Sequence, residues 1–67
     1  MKKQSELLHA TLIHLGPGYW VAEGQVLNDP RFPDLSWVKT SMIESVDFET
    51  NWVHTQNTSY KVRGEIV

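Results

Sequence analysis

The chain has 67 residues, enough for one domain, and a domain this short buries a smaller share of its surface than a larger one does. It contains no cysteine, which excludes disulfides and thiolate metal sites and fits a reducing compartment. Six Lys and Arg against eight Asp and Glu give a net charge of −2 with the basic residues scattered, so the phosphate-neutralising patch of a nucleic-acid binder is missing.

The most apolar stretch, Leu7 to Leu15, carries His9, Thr11 and His14 and is far shorter than the roughly 20 apolar residues of a membrane span. Met1-Lys2-Lys3 has the look of a signal n-region. Gln4-Ser5-Glu6 follows it at once, and no small-residue cleavage site comes after. The expectation is a complete, cytoplasmic chain forming a single domain over 1–67.

Residues 5–15 admit two readings. As a helix, Leu8, Leu12 and Leu15 share a face, Ser5 caps the start and Gly16-Pro17 stops it. As a strand, Thr11 and Ile13 are β-branched and the next segment is plainly β. Segment 19–27 alternates, with Trp20, Ala22, Gly24 and Val26 on one face and Glu23 and Gln25 on the other. Gly24 predicts a bulge or a close approach of another strand. The prolines at 30 and 33 make 28–36 a stiffened loop. Residues 37–46, 51–56 and 59–66 read as three further strands. In 37–46, Val38, Met42 and Val46 share one parity and Trp37 and Ile43 the other, which predicts a bulge or two-sided burial.

A two-residue turn at Asn57-Thr58 fixes a register for the last hairpin. It pairs Thr55 with Tyr60 and Val53 with Val62 inside, and Trp52 with Arg63 and His54 with Lys61 outside. Trp52 would then lie beside a guanidinium, open to a cation–π contact.

Gly18-Tyr19-Trp20-Val21-Ala22-Glu23-Gly24-Gln25-Val26, then Val38-Lys39-Thr40-Ser41-Met42-Ile43, then Thr55-Gln56-Asn57-Thr58-Ser59-Tyr60-Lys61-Val62 succeed one another around a proline-containing loop. This order of an aromatic strand, a T-S-x-[IV] strand and a T-x-N-[ST]-x-Y hairpin resembles small, mostly uncharacterised β-rich proteins of bacteria and their phages. The resemblance spans about residues 18–62. It implies a mostly β fold, either an antiparallel meander or an SH3-like barrel of about 4–5 strands, to which residues 5–15 add a short N-terminal helix or an extra strand. It also implies a phage or prophage origin, and it brings no catalytic residue with it.

No catalytic, metal or cofactor site is expected. His9 and His14 lack ligand-pair spacing, and Thr40-Ser41 and Thr58-Ser59 have no glycine-rich elbow. Glu44, Asp47 and Glu49 cluster at a turn, where solvated carboxylates are usual. The compositional excess is tryptophan: Trp20, Trp37 and Trp52. Trp20 is expected in the core. Trp37 and Trp52 are expected at a contact surface, with Phe32, Arg31 and Arg63 around them, because aromatic residues and arginine dominate interface hot spots. The functional expectation is a non-enzymatic protein-binding module, of the phage accessory kind that the resemblance implies, that modulates or inhibits a host protein by surface contact. Self-association as a homodimer is a further expectation, from the short chain without disulfides. The alternative is a small nucleic-acid-binding β-barrel that stacks bases on Trp or Tyr.

Overall fold

The computed structural model describes residues 2–67, and these contain no helix. In chain order the strands are β1 (Lys3–Leu7), β2 (Thr11–Gly16), β3 (Tyr19–Leu27), β4 (Trp37–Lys39), β5 (Ile43–Asp47), β6 (Trp52–Thr55) and β7 (Thr58–Val62). They form one curled sheet, a half-barrel, in the order β2-β3-β1-β7-β6-β5, with β4 on the other edge of β3.

The helical reading of 5–15 is overturned, and the strand reading holds twice over. β1 and β2 run along the same side of β3, with Leu7 opposite Val26 and Leu12 opposite Ala22. Their other side is paired as well. β1 lies parallel to β7, from Lys3 opposite Thr58 to Leu7 opposite Val62. Ala10 exchanges hydrogen bonds with the C-terminal tail, taking one from Val67 N at 2.8 Å and giving one to Glu65 O at 3.0 Å. Backbone ladders on both sides outweigh a leucine spacing that would support only a short, marginal helix. The bend between β1 and β2 needs Gly24. A Cβ there would stand 2.0 Å from the His9 carbonyl oxygen, so Gly24 marks the close approach expected of it.

The sheet is therefore no simple antiparallel meander of four or five strands. It has seven short strands and one parallel pair that ties the two ends of the chain together. The expected 37–46 strand breaks at 40–42 into β4, which pairs with β3, and β5, which pairs with β6. Thr40 holds the break: its N–H donates to Ala22 O at 2.8 Å and its hydroxyl oxygen accepts from Ala22 N at 3.0 Å. The predicted bulge falls between Ile43 and Ser45 and lets both Ile43 and Val46 pack on the core.

The last hairpin keeps its faces but not its register. Val53 stands opposite Tyr60, Trp52 opposite Lys61 and His54 opposite Ser59. The turn is Gln56-Asn57, because the Thr55 side chain closes it. Its hydroxyl donates to Thr58 O at 2.8 Å and accepts from Thr58 N at 3.1 Å. The shift is two residues, so side-chain parity is preserved, and Val53, Thr55, Tyr60 and Val62 are all buried. The last strand also ends at Val62, short of the expected 66.

The core is aliphatic and small: Leu7, Ala10, Ala22, Val26, Val53 and Val62 around Tyr60, with Leu12, Val38, Ile43, Val46 and Ile66 packed against it. Trp20 is not part of it. Trp20 does lie on the core-facing side of β3, across from His14, and the two rings stack at 4.4 Å. However, the β2–β3 hairpin extends past the core, and the indole is left 42% exposed at the mouth of the half-barrel. No helix among the described residues is long and apolar enough to cross a membrane.

Candidate functional site

Residues 28–36 form the longest segment between strands, and their own side chains hold it rigid. Asn28 begins it in the left-handed region at φ 56°, which asparagine tolerates well. Its N–H donates to Asp34 Oδ1 at 3.0 Å. Asp29 is turned inward, with its side chain 3% exposed, and is met there by Arg31. The guanidinium donates from Nε to Oδ1 at 3.0 Å and from Nη2 to Oδ2 at 2.6 Å, and the Arg31 N–H adds a third bond to Oδ1 at 2.9 Å. These bonds outweigh the burial and hold the Asp29 carboxyl down at about 2, against an ordinary 3.8. Arg31 Nη2 also reaches Thr58 Oγ1 at 3.5 Å, anchoring the loop to the start of β7.

The second half of the loop is tied to β3. Leu35 N donates to Val26 O at 2.7 Å, Val26 N to Ser36 O at 2.9 Å, and the Gln25 amide to Leu35 O at 3.3 Å. Ser36 closes back on Pro33, its hydroxyl donating to the carbonyl at 2.8 Å. Leu35 is thereby held at φ 69°, a region that costs an L-residue with a full side chain roughly 1–2 kcal/mol.

This rigid loop displays large apolar side chains. Phe32 is 41% exposed, Leu35 50%, and Trp37, at the start of β4, 70%. The Arg31 guanidinium carbon lies 5.4 Å from the centre of the Phe32 ring. Of the residues expected at a contact surface, Phe32 and Trp37 are presented to solvent here, and Arg31 serves as the anchor beneath them.

Trp52 and Arg63 lie elsewhere. Trp37 pairs with Gln25 on β3, and β1 and β7 separate β3 from β6. Four strand spacings of ~4.8 Å put Trp37 and Trp52 roughly 19 Å apart along the sheet. The expected single patch of five residues therefore does not assemble. Trp52 is half-buried on the outer face, parallel to His54, with Lys61 Nζ 6.0 Å from its ring. The cation beside it is thus Lys61, as the corrected register requires. Arg63 instead donates to Glu6 Oε1 at 2.9 Å. The residue that sequence reasoning missed is Leu35. Its signal was a leucine between Asp34 and Ser36, in turn sequence where glycine or asparagine would be ordinary.

The nearest approach to a nucleophile–base pair is Ser59 with His54, Oγ to Nδ1 at 2.8 Å. Ser59 is buried, and the nearby Asp47 carboxylate is taken up by the Glu49 and Thr50 amides of its own turn. The pair reads as a cross-strand hydrogen bond between β6 and β7. Among the described residues no three His, Asp or Glu side chains converge as metal ligands. No protein-family model, curated protein or solved structure matches this chain, so no relative's site can be carried onto these residues.

Proposed function

We propose that the protein is a non-enzymatic protein-binding module whose contact surface is the 31–37 loop, led by Phe32, Leu35 and Trp37. The observation that carries this reading is Leu35. A glycine would hold the same backbone without strain, so the strained position keeps its leucine for the side chain, half of which is exposed. Backbone strain of this kind persists where surrounding bonds enforce it, and it gathers at binding sites. The bonds that fix the loop also reduce the ordering entropy lost on association.

We place the module, as part of the same proposal, among the phage- and prophage-type accessory proteins that the sequence resembles, acting on a host protein by covering its surface. The SH3-like description of the barrel belongs to the proposal too. It is supported by the strand pairs β1–β2 and β4–β5, each of which reads as one long bent strand. The homodimer expected from the short chain would use the same loop.

The test is a pull-down from bacterial lysate with the wild-type chain and with Leu35→Gly and Trp37→Ala, each checked for an unchanged fold. A protein retained by the wild type and lost from both variants supports the proposal. A partner retained equally by all three, or salt-sensitive oligonucleotide binding in its place, contradicts it.

A further inference from the structure

A second surface, independent of the loop, lies along β5. The hydrogen-bonded order of the sheet ends at this strand, which is paired with β6 on one side only. On the other side β5 faces a groove of about 390 Å³ whose apolar walls are Leu12, Trp20, Ile43, Val46 and Phe48. An unpaired strand edge is a template for another strand, and proteins usually blunt such edges with lysine or proline. β5, Ile-Glu-Ser-Val-Asp, has neither; its guards are the bulge between Ile43 and Ser45 and the carboxylates of Glu44 and Asp47, which repel an acidic strand but not a basic one.

Its charges are of one sign. Glu44, Asp47 and Glu49 fall within seven residues that contain no cation; from outside the stretch Lys2 pairs with Glu44, His54 lies near Asp47 and Lys61 reaches the Thr50 carbonyl. The two faces of the strand also differ. Val46 is opposite Val53 and packs on the core, whereas the next residue, Asp47, is opposite Trp52 on the outer face. Past the bulge, a strand added at this edge would therefore meet the apolar groove beside Val46 and a carboxylate beside Asp47, while Glu44, in the bulge, lines the groove itself.

We infer that the β5 edge takes up an extended segment of a partner protein in which apolar residues alternate with lysine or arginine. The apolar side chains enter the groove against Trp20, Val46 and Phe48, and a cation between them lies over Asp47 on the outer face. A second copy of this chain is disfavoured, because pairing β5 with itself gathers two copies of Glu44 and Asp47 on adjacent strands that carry no lysine or arginine.

The test uses the full chain, labelled with ¹⁵N and titrated with a short blocked peptide of alternating valine and lysine. A valine–glutamate peptide is the control. The expected result is amide shifts over 43–48 and at the Trp20 indole, with at least tenfold weaker binding of the control. Phe48 is exposed, so Phe48→Ala leaves the fold intact and lowers affinity for the valine–lysine peptide about tenfold. The inference is overturned by no shift at millimolar peptide, by equal affinity for the two peptides, or by shifts confined to residues 31–37. A concentration-dependent dimer that buries 43–48 overturns it as well.

Discussion

Leu35 allows the strain in the loop to be measured by sign as well as by size. Removing its side chain at Cβ gives Leu35→Ala, which keeps the left-handed conformation and loses a half-exposed leucine. Full burial of a leucine contributes about 1.5–3 kcal/mol, so half of it makes Leu35→Ala less stable by about 1 kcal/mol. Leu35→Gly loses the same contacts and about 0.5–1 kcal/mol more in chain entropy, but it relieves roughly 1–2 kcal/mol of backbone strain, so it should recover part of the loss. At an ordinary position the order is reversed, with glycine about 0.5–1 kcal/mol worse than alanine. Urea unfolding of the three chains, with slopes checked for equality, decides between the two. Glycine more stable than alanine by about 0.5–1 kcal/mol is the expected outcome. Alanine equal to or more stable than glycine would refute both the strain and the functional reading built on it.

Gly24→Ala should be severe, at about 3 kcal/mol or more, because the added methyl would collide with backbone at His9 and not with a movable side chain; thermal unfolding measures it. Trp20→Ala should cost only about 1–2 kcal/mol in the same assay, less than Val53→Ala at about 2–3, since the indole sits at the mouth of the half-barrel and Val53 is fully buried. The Asp29–Arg31 pair makes stability depend on acid. The carboxyl titrates at about 2 in the folded chain and at its ordinary 3.8 when unfolded, so its contribution is complete above about pH 4 and is lost as pH falls toward 2. That contribution is about 2 kcal/mol, and denaturant titrations at pH 5 and pH 2 should show its loss in the wild type but not in Asp29→Asn.

Alternation and turn chemistry made most of the β architecture legible. Tyr19–Leu27 was readable to the residue because one face of it is uniformly small or apolar. What escaped was set by partners distant in sequence. Residues 5–15 carry a leucine spacing that suits a helix, and only the ladders to β3, β7 and the tail make them strands. The hairpin register was misplaced by two because the turn is closed by the Thr55 hydroxyl and not by the asparagine that usually marks such turns. Trp20 had the right face, but parity alone does not show where along a strand the core ends. In the candidate site, Phe32 and Trp37 were readable from residue type and the proline brackets. The separation of Trp52 from them depends on strand order, which no local pattern encodes.

The most direct test of the central claim is a hydrogen-exchange footprint of the protein bound to its captured partner. The account predicts that added protection concentrates at residues 31–37, with a second stretch at 43–48 only where the partner offers a basic extended segment. Protection confined to 52–63, the hairpin that carries Trp52 and Arg63, would contradict it.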